Sequence, residues 1–348
     1  MSVYRGSIWG VSPPHARVIA RPLGRRSFLI AAAATAATAA APTWARGPSS
    51  YPPPDRELMV PVPGGRVYVR VNGRLDGPRL PVVMIHGGPG GTHAAFLNAL
   101  ALADERAVIL YDQLDSGRSD HPNDPRNWTV ARFTDEVEAI RSTLRIPRWH
   151  VLGHSWGGTI ALEYGARRTA GLAGLVLASP LISTRSWIAD ADALRAKLPP
   201  DVQATLRKCD PPAPVIPACA PATETYYAAF NRREPATAAM KDYGRRHGGV
   251  GFNRLLYEEM WGSSEFVATG TLKNYDGEPL LAKLDGPRTL FIDGQYDEAR
   301  PVTLEGFAAR VPGAGFAVVP GAAHGFFNDR PEEALGILRP WFRGQDRV

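Results

Sequence analysis

Cysteine is nearly absent from this chain, with two among 348 residues. Cys209 and Cys219 have no further cysteine and no close histidine pair beside them, so no metal site is suggested and no cofactor is expected. Long apolar runs are missing too. The alanine-rich stretch from Phe28 to Ala41 is too short and too interrupted by threonine to read as a membrane span. No internal repeat and no nucleotide-binding glycine loop occurs. Acidic residues are lacking before residue 45, where Arg5, Arg17, Arg21, Arg25 and Arg26 stand unopposed. Without that segment the formal charge falls from +6 to about +1. The basic balance therefore points to no nucleic-acid partner.

What is present centres on Gly153-His154-Ser155-Trp156-Gly157-Gly158, which directly follows the apolar run Trp149-His150-Val151-Leu152. A serine on a sharp strand-to-helix turn needs glycine two positions either side, because larger side chains collide where the backbone doubles back. Ile160, Ala161, Leu162 and Tyr164 continue as a helix, and Leu175-Val176-Leu177 supplies the next buried strand. Ser155 is the candidate nucleophile.

A serine hydroxyl needs an imidazole to take its proton and a carboxylate to hold that imidazole in the right tautomer. On this kind of turn the chain order is serine, acid, histidine. Arg288 to Ile292 reads as a strand, and Asp293-Gly294-Gln295-Tyr296-Asp297-Glu298 follows. Asp297, beyond the glycine, is the candidate acid, while Asp293 is expected to close the strand end by bonding backbone amides. Phe316 to Val319 reads as a last strand before Gly321-Ala322-Ala323-His324-Gly325. Of eight histidines, only His324 combines a late position, small neighbours and a post-strand loop, and it is the candidate base. His86 and His154 read as backbone supports; His93, His121, His150 and His247 read as structural or exposed. With an ordinary imidazole, activity should fall below about pH 6.5.

Acyl transfer also needs two amide donors aimed at the developing oxyanion. The N–H of Trp156 is one candidate. The other lies in His86-Gly87-Gly88-Pro89-Gly90-Gly91, after the strand-like Pro81 to Ile85, with Gly88 preferred and Gly87 possible. Proline between glycines stiffens this loop.

These segments, with Tyr111-Asp112-Gln113, Ser116-Gly117-Arg118-Ser119, Met260 to Phe266 and Gly270 to Asp276, resemble the prolyl iminopeptidase branch of the α/β-hydrolases. The likeness runs from about Arg66 to the C-terminus. It implies a doubly wound, mostly parallel sheet with an inserted helical cap. It also implies an acyl-enzyme aminopeptidase that takes N-terminal proline or another small neutral residue from a small peptide or aminoacyl amide. Family members hold the substrate ammonium with one acidic residue in the cap and one beside the catalytic acid. By motif position these are Glu265 and Glu298, with Glu258 and Glu259 as rivals in the cap. An amino-acid amidase or esterase is the alternative, and a silent binding protein is disfavoured by the intact Ser155, Asp297 and His324. Dehalogenase relatives carry aspartate at the nucleophile position, which disfavours that chemistry here. The chain departs from the family at Asp115, where glycine is usual, and at Gly325-Phe326-Phe327 after the base.

Gly24-Arg25-Arg26-Ser27-Phe28-Leu29-Ile30, the apolar run and Thr43-Trp44-Ala45 resemble a twin-arginine export signal, cut near Ala45. The expectation is an exported protein, periplasmic or secreted, whose signal engages the export machinery. In an oxidising compartment Cys209 and Cys219 are a disulfide candidate, worth about 3 kcal/mol by loop closure, with two free thiols as the alternative.

The organisation expected is a signal over 1–45, a first core part over 46–180, a helical cap over 181–284 and a second core part over 285–348. Leu58 to Val62 and Arg66 to Val71 read as an opening hairpin. Val130, Phe133, Val137, Ile140 and Leu144 mark an amphipathic helix. Trp261, Phe266 and Tyr275 read as cap packing in preference to pocket lining.

Overall fold

The computed structural model describes residues 50–210 and 216–347. The expected export signal lies outside the described residues.

The chain opens with the hairpin β1 (Arg56–Val62) and β2 (Gly65–Asn72), then β3 (Val82–Ile85), a 3₁₀ segment His93–Asp104 and β4 (Val108–Tyr111). Next come α1 (Val130–Thr143), β5 (Trp149–His154), α2 (Trp156–Ala166) and β6 (Leu172–Ala178). Five helices follow before the sheet resumes: α3 (Thr184–Arg195), α4 (Pro200–Cys209), α5 (Cys219–Phe230), α6 (Ala238–His247) and α7 (Arg254–Met260). The chain ends with β7 (Thr289–Gly294), α8 (Pro301–Ala309), β8 (Gly315–Val319), α9 (Phe326–Asp329) and α10 (Pro331–Gln345).

The eight strands form one sheet in the order β1-β2-β4-β3-β5-β6-β7-β8. Only β1 with β2 and β2 with β4 pair antiparallel; every other neighbour is parallel. The central strands are mostly apolar because both faces are covered. Val83, Ile85, Ile109, Val151, Leu177 and Phe291 face one core with Phe133, Ile140, Ile160 and Phe307. Their neighbours Val82, Met84, Leu110, Leu152, Val176 and Ile292 face the other, with Phe96, Leu100, Leu338 and Phe342. Alternation along each strand thus divides its side chains between two helical layers.

Local signals set the helix ends. Thr129 caps α1 by accepting from the Arg132 N–H, and Phe133, Val137 and Ile140 fall on its buried face as their spacing requires. Cys209 and Cys219 are joined as a disulfide between the end of α4 and the start of α5, their Cα atoms 5.8 Å apart. No described helix is long and apolar enough to cross a membrane.

Candidate active site

The turn between β5 and α2 holds Ser155 at φ 59 and ψ −123. That conformation costs a residue with a Cβ about 1–3 kcal/mol and persists only where the surroundings fix it. Here the Ser155 N–H donates to the Ala178 carbonyl at 3.0 Å, and its carbonyl accepts from Gly158 at 2.8 Å and Leu181 at 3.1 Å. Glycine is needed on both sides. A Cβ on Gly153 would sit 2.0 Å from the Gly157 carbonyl oxygen, and one on Gly157 would sit 2.0 Å from that of Ile85. The Ser155 hydroxyl makes no capping bond to α2, so the helix end does not consume it.

His324 follows β8, and its Nδ1 lies 2.8 Å from Asp297 Oδ1. The Asp297 carboxylate is fully engaged: Oδ1 also accepts from the Ala299 N–H at 2.8 Å, and Oδ2 from the Ser179 hydroxyl at 2.5 Å and the Gly294 N–H at 3.1 Å. Burial pushes this carboxyl up, but His324 and these donors outweigh it and hold it below its ordinary value. His154, next to the nucleophile, places its Nε2 2.8 Å from the His324 carbonyl and its ring centroid 4.6 Å from the His324 ring. Burial, followed by the nearby His324, lowers His154 to about 3, so it stays neutral and donates. His324 is thereby tied to His154 in the elbow through its backbone and to Asp297 through its ring.

The glycine loop after β3 closes on the same point. A Cβ on Gly87 would fall 2.8 Å from the Ser155 Cβ, and Gly88 takes φ +114. Behind the loop, Gln113 ties it to the elbow. Its side-chain amide donates to the His86 carbonyl at 2.9 Å, and its amide oxygen accepts from Trp156 Nε1 at 2.9 Å. The His86 ring accepts the Gln113 N–H at Nε2, 3.1 Å, with Nδ1 directed to the Gly87 carbonyl at 2.9 Å. Burial lowers His86 to about 4, which keeps it neutral for both bonds.

Two further carboxyls face the base. Glu298 is 1% exposed; its Oε1 accepts from Asn231 Nδ2 at 2.6 Å and lies 3.8 Å from His324 Nε2. Its Oε2 is buried without a partner. Glu265 accepts the Tyr257 hydroxyl at 2.8 Å. Burial comes first in raising both carboxyls, and for Glu298 the charge of Glu265 adds to it. Burial alone would lower His324, yet Asp297, Glu298 and Glu265 together raise it to about 9. The ring departs from an ordinary imidazole because three carboxyls from separate segments surround it.

The family described as "alpha/beta hydrolase fold" matches residues 81–331. A proline iminopeptidase of Heyndrickxia coagulans is 36% identical over 288 residues, 81% of this chain and 96% of the relative. The crystal structure of a Mycobacterium smegmatis proline iminopeptidase superposes with a TM-score of 0.76 at 31% identity, covering 84% of this chain and 99% of that one. The chain belongs to the proline iminopeptidase family of α/β-hydrolases. A further member, from Levilactobacillus brevis, is 32% identical over 84% of this chain and 98% of its own length.

Against that family background, the residues picked out by sequence fall as follows. Asp297, Glu298 and Glu265 act on the His324 ring, the His324 carbonyl bonds His154 beside Ser155, and the Gly87–Gly88 loop lies against Ser155. Glu258 turns away to an exposed ion pair with Arg254, and Glu259 is exposed. Asp293 departs from expectation. It lies inside β7, fully buried, and neither carboxyl oxygen has a partner outside its own residue. The amides just beyond it are engaged elsewhere, Gly294 N–H with Asp297 and those of Gln295 and Tyr296 with the Val319 and Ala322 carbonyls, and burial followed by the charge of Asp297 pushes it well above its ordinary value. Asp115, where the family usually has glycine, adopts φ 64. Its carboxylate accepts from the Asn123 N–H and Trp128 Nε1, which stabilises a conformation aspartate tolerates. Phe266 packs in a cluster among the inserted helices as expected, whereas Trp261 packs in the main core that also takes side chains of the sheet.

Sequence reasoning missed four contributors. Ser179, at φ 45, supports Asp297, and Gln113 braces the loop. Asn231 holds Glu298, and the adjacent Phe230 carbonyl accepts from both the Glu298 N–H at 3.1 Å and the His324 N–H at 3.2 Å. Trp187 presents its ring edge-on, 5.5 Å from the His324 ring, while Nε1 donates to the Glu265 carbonyl. Among them only Gln113 had a signal, its place in a quoted motif; the rest sit outside every motif.

Proposed function

We propose that this protein is a serine aminopeptidase that releases N-terminal proline, or another small neutral residue, from peptides through an acyl-enzyme. Ser155 Oγ attacks the carbonyl of the first residue as His324 Nε2 takes its proton. The N–H groups of Trp156 and Gly88 receive the oxyanion. His324 then returns the proton to the leaving amine, and water, activated by the same imidazole, hydrolyses the ester. Asp297 holds the ring with Nδ1–H inward and stabilises the imidazolium that forms.

One observation carries the aminopeptidase reading over a general esterase. Glu298 is a buried carboxyl beside the base, with one oxygen held by Asn231 and the other unpartnered. A buried acceptor left open suits a cationic donor, and an α-ammonium or prolyl secondary ammonium supplies one. Glu265 faces the same volume from the cap. Glu298→Gln is expected to lower kcat/KM for proline p-nitroanilide by about 100- to 1000-fold, the cost of removing one partner of a buried pair. Hydrolysis of an acetyl ester, which brings no cation, should hold or rise. Equal losses on both would favour the esterase reading.

Export is proposed on two supports: the Arg25-Arg26 segment and the Cys209–Cys219 disulfide. N-terminal sequencing of the protein from its native host should begin near Arg46. A native protein beginning at Met1 would contradict it.

A further inference from the structure

We propose that the substrate's ammonium switches on the catalytic base: in the empty site Glu298 and Glu265 hold a proton on His324, and an incoming cation takes over those carboxylates and releases it. The inference rests on the aminopeptidase reading and adds a role for Glu298 beyond anchoring. Glu298 is then a positioning residue that ties recognition of a free amine to the turnover step.

The geometry supplies the parts. His324 Nδ1 faces Asp297 at 2.8 Å, and Nε2, the atom needed to accept from Ser155, faces Glu298 Oε1 at 3.8 Å. Glu265 approaches from the cap. Trp187 walls another side at 5.5 Å and neutral His154 lies beneath at 4.6 Å, neither bringing charge. Behind Asp297 stand Ser179 and the buried Asp293, and further back Asp190 with Arg300. Asn231 offers Glu298 only a neutral donor, and Tyr257 does the same for Glu265. Among the charged groups that act on the ring, Asp297, Glu298 and Glu265 all favour its cationic form, and the cationic ring in turn favours the ionised form of both glutamates against the burial that raises them. With His324 raised to about 9, roughly one molecule in a hundred has a neutral base at pH 7.

A prolyl secondary ammonium carries two donors and a primary α-ammonium three, and two are enough to serve the free Glu298 Oε2 and to reach Glu265. Once a cation neutralises these carboxylates, a second positive charge on the ring becomes unfavourable, and the proton leaves for solvent. Nε2 is then free to accept from Ser155. A substrate without an amine would bind beside a base that is still protonated. Selection for free amines would therefore appear in kcat as well as in KM.

The test uses a reagent that carries no charge. Phenylmethanesulfonyl fluoride sulfonylates Ser155 Oγ with loss of fluoride, and the rate reports how much His324 is neutral. Alone, the inactivation rate should climb with pH through about 9. Saturating pyrrolidinium, which presents the cation of proline without its carbonyl, should move this limb down toward the ordinary imidazole range. At pH 7 the rise would reach about 75-fold if the ring returned to its reference value, before any steric loss. Crowding by pyrrolidinium lowers the plateau but cannot move the limb. In Glu298→Gln the limb should already lie low, and pyrrolidinium should shift it little. A limb that stays in place in the native enzyme, while pyrrolidinium competes with proline p-nitroanilide, would overturn the proposal alone. If pyrrolidinium does not compete at all, the amine-site reading fails, and the proposal with it.

Discussion

Ser155→Ala is expected to abolish hydrolysis of proline p-nitroanilide, with kcat lower by about 10⁵- to 10⁶-fold, the loss typical when the nucleophile of a serine triad is removed. Nothing nearby replaces it. The adjacent Trp156 and His154 carry no hydroxyl, and Ser179 is spent on Asp297. Folding should survive, because the Ser155 hydroxyl makes no capping bond and alanine keeps the Cβ that the φ 59 turn already accommodates. The backbone bonds that pin the turn involve Ala178, Gly158 and Leu181 and are untouched by the change. Steady-state assays paired with thermal unfolding check both halves. Turnover above one hundredth of the native value, with the melting temperature preserved, would remove Ser155 as nucleophile.

Asp297→Asn is expected to cost about 10⁴-fold in kcat, with KM changed far less, as in other triads where the acid becomes an amide. The reason lies in the bonds at this carboxyl. Asp297 accepts from four donors, two at each oxygen. An asparagine must turn its NH₂ toward one pair. If that pair is His324 and Ala299, the ring is forced to the tautomer with hydrogen on Nε2 and cannot accept from Ser155. If it is Ser179 and Gly294, a backbone N–H is left facing another donor inside the protein. Ser179→Ala removes one of the four bonds and should cost much less, on the order of tenfold, since a single neutral hydrogen bond contributes about 1 kcal/mol. kcat measured from pH 7 to 10 for both variants checks the ranking. An Asp297→Asn enzyme within tenfold of native would show that some other group orients the base.

The sheet and the elbow were legible because each strand is a short apolar run ended by glycine, and because the glycines around Ser155 answer to a steric need that no other residue meets. His324 and Asp297 were legible for a related reason: each follows a strand end, where side chains project from one edge of a parallel sheet. The supporting residues were not. Ser179, Asn231 and Trp187 act through partners far along the chain, and short-range pattern holds no record of such pairings. Asp293 differs because aspartate near a strand end ordinarily finds free amides, whereas here Asp297 takes the Gly294 N–H and the next two amides bond the Val319 and Ala322 carbonyls. The shifted His324 arises only when the turn after β7, the loop after β8 and the cap meet, so a reference value for imidazole could not foresee it.

The central claim is that a triad works beside an acidic pocket made for a free amine. The measurement that tests it most directly compares L-proline p-nitroanilide with its N-acetyl derivative on the native enzyme. The two share the scissile bond and differ in the charge that Glu298 and Glu265 would meet. A kcat/KM at least about 100-fold higher for the free amine is the predicted result, on the scale of a buried charge left unpaired. Equal rates, or faster cleavage of the acetylated compound, would contradict the account.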